Sequence, residues 1–246
     1  MKLEEIKSLS EKYGLPYDTV TREVYLAITE IFNMEPNINA VVDFEELKGT
    51  KLGTGHGDGN MGELRLSDIN KTTLLKMQKL IEGRLQRRST LNRFSLFAGI
   101  RYSVIDGIIC GHDENHGLLV EVRNETCGDV TTALCEEYEQ PPRERGGYLI
   151  GGTLPFYVKG IRPEYDQHRM TRLEIKLSRR SPALVELLIQ KFTGIRPKCT
   201  RRIAGAFSNI TTQRRIPKEA LYKVSKILNE RINVKVETNV LAGNSH

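Results

Sequence analysis

"LFAGIRYSVIDGIICGHDENHGLLVEVRN", residues 96–124, is where the chain changes its period. Upstream, apolar residues recur at helical spacing; here they alternate on both sides of the polar turn "GHDENHG". Alternation of apolar and polar residues is the mark of a half-buried strand. The same pattern continues downstream, and strands are predicted over roughly residues 99–110, 117–123, 129–135, 150–161 and 171–177. Five short strands in about 80 residues suggest a small closed barrel, and OB-type barrels have that strand count.

The segments before this stretch read as a helical and β region. Two helical patterns occupy residues 3–32, separated by "YGLPYD", where Gly14 and Pro16 break the first. Val20, Val24, Ala27, Ile28 and Ile31 form one stripe of the second. "NINAVVDFEEL" (37–47) alternates as a strand, and the glycine-rich run after it reads as a loop or ragged hairpin. A third helix starts near Ser67, its expected cap, with Leu74, Gln78, Ile81 and Leu85 on one face and Lys76, Lys79, Arg84 and Arg87 opposite.

After the strands, "SPALVELLIQKF" (181–192) predicts a helix with Ser181 at the cap and Pro182 in its first position. "RRIAGAFSNI", a helix opened by Pro217, and "INVKVET" then give a β-α-β order. The expected class is α+β: a helical/β domain over 1–95, a five-stranded OB-type barrel over 96–180, and a basic β-α-β unit over 181–246.

Charge divides the chain unevenly. The net charge is +6, yet sixteen Lys/Arg and four Asp/Glu lie between Arg169 and Arg231, so that segment carries +12 and the remainder −6. Such a split points to one part facing a polyanion. At 28% charged and 39% hydrophobic, the 246 residues have an ordinary globular composition, and no apolar run approaches a membrane span. The opening "MKLEEIKSLSEKYG" reads as a charged helix rather than a signal peptide. Cys110, Cys127, Cys135 and Cys199 show no CxxC spacing and read as reduced thiols of a cytoplasmic protein.

No catalytic constellation emerges. "GTGHGDGNMG" (53–62) lacks the direct passage into a helix N-terminus, and the Lys-Ser/Thr, that a phosphate-cradling loop needs. His112, Asp113, Glu114 and His116 occupy a short polar run that reads as a hydrophilic hairpin turn rather than as a metal site, which needs three or four converging ligands. "CEEYEQPPRERGG" (135–147) reads as a solvated connection, and no cofactor or metal is expected.

RNA binding has better support. Barrels of this kind hold single strands through aromatic and basic side chains on one face. The candidates are Arg101, Tyr102, Arg123, Lys159, Arg162, Arg172 and Lys176. Of the strand neighbours Phe156 and Tyr157 only one can face a ligand, and Tyr157 is taken as that one. The pairs Arg179/Arg180, Arg201/Arg202 and Arg214/Arg215 would supply phosphate contacts, which give affinity and salt dependence. Leu173, Ile175 and Leu177 are expected to face the barrel core.

The element order resembles that of the bacterial transcription elongation and termination factor NusA. "YGLPYDTVTREVYLAITEIF" is similar to that family's opening, and "SDINKTTLLKMQKLIEGR" to its long connecting helix. "GGTLPFYVKGIRPE" resembles its late barrel strand, and "IKLSRRSPALVELLIQKF" the passage into its KH region. The resemblance spans about residues 12–192. It implies an N-terminal domain that docks on RNA polymerase, an RNA-binding OB barrel, and KH domains. No GxxG loop follows residue 192, however; the only such spacing is "GNMG" at 59–62. The tail therefore reads as one reduced KH-like unit. The expected function is a non-enzymatic RNA-binding factor modulating polymerase elongation, pausing, termination or antitermination. A general RNA-binding role in ribosome maturation or RNA decay is the alternative, and a nuclease or nucleotide-dependent enzyme a third.

Overall fold

The computed structural model describes residues 3–34, 42–43, 48–51, 62–64, 71–125, 128–165 and 171–237. The protein is a mixed α+β chain forming two compact units: residues 1–94 with 163–173, and residues 95–162 with 174–246.

In the first unit, α1 (Leu3–Tyr13) and α2 (Tyr17–Met34) meet across the break at Gly14 and Pro16. The expected stripe of α2 is buried throughout, from Val20 to Ile31. It packs with Ile6, Leu15, and Met77 and Leu85 of α3 (Lys71–Phe97) into one apolar cluster. The face of α3 differs from the sequence reading. Met77 and Leu85 are buried while Gln78 is exposed. Arg84 turns toward α2, lying 3.5 Å from Glu23 and also pairing with Glu30. A thioether fills the cluster more cheaply than an amide, which needs hydrogen-bond partners when buried. Three short strands, β1 (Val42–Asp43), β2 (Lys48–Lys51) and β3 (Gly62–Leu64), form an antiparallel sheet. The rest of the expected 37–47 strand, most of the glycine-rich run and Ser67 lie outside the described residues.

The second unit begins with the barrel. Strands β4 (Val104–His112), β5 (Leu118–Arg123), β6 (Val130–Cys135), β7 (Thr153–Tyr165) and β8 (Thr171–Ser178) close in the order β4-β5-β6-β8-β7. β4 to β6 form an antiparallel meander, β4 also pairs with β7, and Leu134 of β6 meets Lys176 of β8 in parallel. Alternation carries Leu118, Val120, Val122, Phe156 and Val158 inward, and Leu173, Ile175 and Leu177 are buried as expected. Gly107 is demanded by space: a Cβ there would lie 2.4 Å from Val120 Cγ1.

The chain then enters α4 (Pro182–Thr193), where Ser181 Oγ accepts from the Ala183 amide, as the Ser-Pro signature predicts. What reads in the sequence as one strand, "RRIAGAFSNI", is a hairpin of β9 (Lys198–Ile203) and β10 (Phe207–Thr212). Gly205, at φ +78°, makes the turn, a conformation that L side chains rarely adopt. After α5 (Lys218–Leu228), β11 (Arg231–Val236) joins β10 in parallel. The unit is thus α-β-β-α-β rather than β-α-β. Leu184, Val185, Leu188 and Ile189 of α4 pack with Ile210, Val224 and Leu228, and barrel residues Val104 and Tyr157 pack against the same cluster.

Candidate nucleic-acid interface

The candidate residues separate into three groups once placed on this fold. The first comprises barrel cations that already have anionic partners. Lys159 pairs with Glu139, Arg162 with Glu174, and Arg172 with Glu164. Lys176 lies 3.0 Å from Glu136 and 3.5 Å from Glu174. Two of the carboxylates, Glu136 and Glu139, belong to the acidic run after β6, so this segment neutralises barrel cations instead of merely connecting strands. Tyr138 donates to Glu136, and this hydrogen bond, followed by that from Lys176, holds the Glu136 carboxyl below its ordinary pKa. Lys159 and Lys176 are correspondingly raised, chiefly by their hydrogen bonds to Glu139 and Glu136.

The second group is buried. Arg179 is 2% exposed and sits where the acidic connection, the barrel and α5 meet. Its Nη2 and Nε donate to Glu144 Oε1 and Oε2 at 2.8 and 3.1 Å, and its Nη1 donates to the Pro155 carbonyl at 3.0 Å. Nη2 also reaches the Ile227 carbonyl at 3.4 Å, and the guanidinium lies 5.9 Å from the Phe156 ring centre. Arg202 is equally enclosed, its side chain 1% exposed beside the fully buried Glu230 at 3.1 Å. Glu230 also accepts from Ser208 Oγ and the Gly205 amide, while Arg202 Nη1 donates to the Ser181 carbonyl. Desolvation lowers the Arg202 pKa against the pull of Glu230. These geometries correct the expectation that both members of Arg179/Arg180 and Arg201/Arg202 meet phosphate. In each pair one guanidinium is consumed by the interior, because a buried cation needs a fixed anion and filled donors.

Tyr157 is a further correction. Phe156 is the core member as expected. The outward Tyr157, however, is covered by the α4–α5 cluster, and burial raises its hydroxyl pKa. Its ring is not free to stack a base.

The third group is open. Arg101 lies 4.7 Å from the ring centre of exposed Tyr102, which adopts φ +61°. Arg123 ends β5 exposed, and Arg180 is exposed while donating to the Tyr138 carbonyl at 2.6 Å. Arg214 and Arg215 are exposed in the short passage from β10 to α5.

The sequence reading missed most of one surface, the outer face of the β9–β10–β11 sheet. Register aligns Lys198, Thr211 and Lys235 in one row, and Arg201, Asn209 and Asn233 in the next. The last row is Ile203, Phe207 and Arg231. Lys198, Arg201, Arg231 and Lys235 are all exposed, and among the described residues none has a carboxylate partner. The signal was present in "INVKV", where polar positions alternate with Ile232 and Val234. It became meaningful only once the hairpin at Gly205 placed β9 and β10 beside β11.

The polar turn after β4 is self-contained: Asp113 Oδ1 accepts from the Asn115 and Gly117 amides at 2.9 and 2.6 Å. Among the described residues no three His, Cys, Asp or Glu side chains gather in a way that could hold a metal. No described helix is long and apolar enough to cross a membrane. No family model matches the chain, and no curated protein matches it in sequence.

Proposed function

We propose that the protein is a non-enzymatic RNA-binding factor that modulates RNA polymerase during elongation, pausing, termination or antitermination. The observation that carries the reading is where uncompensated positive charge collects. Barrel cations are largely matched by carboxylates, whereas Lys198, Arg201, Arg231, Lys235, Arg214 and Arg215 in the C-terminal part of the chain are exposed and have no carboxylate partners among the described residues. Cations kept without partners on a folded surface favour a polyanionic ligand. The five-stranded closed barrel, in the strand order of an OB fold, continues into this basic unit. That order supports the resemblance to the transcription factor family, and the α-β-β-α-β tail fits a KH-like unit reduced by one helix and its GxxG loop.

In this reading the first unit docks on polymerase and the second holds emerging RNA. The test is the full-length chain binding a labelled single-stranded RNA as salt rises from about 50 to about 200 mM. Six phosphate contacts would give a logarithmic slope near −4 and about a 300-fold loss of affinity over that range. Affinity that stays flat overturns phosphate-led binding. Purification of tagged full-length chain from bacterial cells should recover RNA polymerase. Recovery of ribosomal precursors or decay enzymes in its place would transfer the protein to RNA maturation or decay.

A further inference from the structure

We propose that the outer face of the β9–β10–β11 sheet is a platform for a single strand of RNA, gripping its phosphates through flanking cations and stacking a base on Phe207. The inference rests on the RNA-binding reading and goes beyond it by assigning the surface and the mode of contact.

Three properties of the face converge. First, its charge has one sign. Lys198 and Lys235 flank the row centred on Thr211, Arg201 lies in the next row and Arg231 in the one beyond it, and no carboxylate occupies any of the three rows. Cross-strand surfaces ordinarily gain from opposite charges placed side by side, so a face of cations alone is stable mainly against an external anion. Second, an aromatic ring lies within it. Phe207, the first residue of β10, is half-buried, and the Arg201 guanidinium lies over its ring, 5.6 Å from the ring centre. Arg231 lies opposite Phe207 across the sheet and Arg201, opposite Asn209, is diagonal to it, so a base taking the place of the guanidinium on that ring would have its phosphate within reach of both. Ring and cations together suit a strand with open bases better than a duplex, whose bases are already stacked. Third, the central polar groups are preordered: Asn233 Nδ2 donates to Asn209 Oδ1 at 2.9 Å, and Thr200 Oγ1 donates to the Asn209 carbonyl at 3.1 Å. Asn233 retains its side-chain carbonyl, and Asn209 its amide, for base edges.

An acidic protein segment would also meet the charge, but it gains nothing comparable from the ring. The occupant favoured by the whole face is therefore nucleic acid.

The test uses the full-length chain and a labelled oligouridine of about 12 nucleotides. The double variant Arg201→Glu/Lys235→Glu should bind at least tenfold more weakly, with the logarithmic salt slope reduced by about 1.4, the share of two phosphate contacts. Phe207→Ala should weaken binding by about 5- to 140-fold while leaving the slope unchanged, because stacking releases no counterions. If the wild-type chain binds no RNA at any salt, the RNA-binding reading itself falls. If it binds and both variants match it in affinity and slope, that reading stands and the sheet platform is overturned. Displacement by polyglutamate as effective as by unlabelled oligouridine would reassign the face to an acidic protein and likewise overturn it. As a check independent of variant folding, 4-thiouridine RNA crosslinked to wild-type chain should modify the tryptic peptide 203–214; crosslinks confined to other peptides would overturn the platform.

Discussion

Replacing Arg179 with methionine separates a structural arginine from an RNA-contacting one. The side chain is 2% exposed, bidentate with Glu144, and donates to the Pro155 and Ile227 carbonyls. Arg179→Met removes the cation and leaves the Glu144 carboxylate, 13% exposed, without its partner. Breaking one side of a buried ion pair costs about 3–5 kcal/mol, because the remaining charge stays desolvated. For a chain of this length that corresponds to a fall in melting midpoint of roughly 10 °C. Adding Glu144→Gln should recover a good part of the loss, since the orphaned charge is removed with its partner. Scanning calorimetry of wild type, both single variants and the double variant completes the cycle. A phosphate-contacting arginine at the surface behaves oppositely: its loss costs under about 0.5 kcal/mol and lowers the salt slope of RNA binding by about 0.7. The burial argument is wrong if Arg179→Met melts within about 2 °C of wild type, or if the folded variant loses that slope.

Three further outcomes follow from the geometry. Gly107→Ala drives a methyl group into Val120, whose buried branched side chain cannot move aside, and should lower stability by about 1–3 kcal/mol, read as a lower urea midpoint at unchanged slope. Burial pushes the Cys135 thiol up to about 12 from 9.0, so between these values the folded chain holds a proton that the unfolded chain releases. Stability should therefore fall as pH rises through that window, by at most about 1.4 kcal/mol per pH unit from this group, and the fall should be shallower in Cys135→Ala when urea unfolding is compared at the two ends of the window. Arg214→Glu/Arg215→Glu, exposed on the passage into α5, should leave the melting midpoint within about 2 °C of wild type while reducing the RNA salt slope by about 1.4; a slope equal to wild type removes that passage from the interface.

The elements that patterns dictate were legible. Period two located five barrel strands, although the first was expected from residue 99 and β4 begins at Val104 after a 3-10 turn at Ala98–Ile100; the α2 stripe is buried as read, and Ser181 and Pro182 open α4 as expected. What escaped was decided by contacts distant in sequence. "RRIAGAFSNI" has enough apolar alternation to pass for one strand, and only the left-handed Gly205 reveals two. Arg179 and Arg180 are identical letters, yet one is buried against Glu144, 35 residues away, and the other is exposed. Composition can count charge but cannot say which cations have found carboxylates. That is why the barrel cations, most of them paired in the fold, read as candidates while Lys198, Arg231 and Lys235 of the open sheet face did not.

Closure of the barrel also sets a timetable for its synthesis. Val104 of β4 pairs with Tyr157 of β7, and Lys176 of β8 meets Leu134 of β6. At about 5–20 residues per second, β4 waits several seconds on the ribosome before its second neighbour is made. Throughout that interval one edge of a strand rich in isoleucine is an open template for pairing with another chain. Val104 and Tyr157 wait longer still for α4 and α5 to cover them. The nascent protein is thus most exposed to misassembly before β7, α4 and α5 emerge, and slowing translation within β7 should raise aggregation more than slowing it within α3.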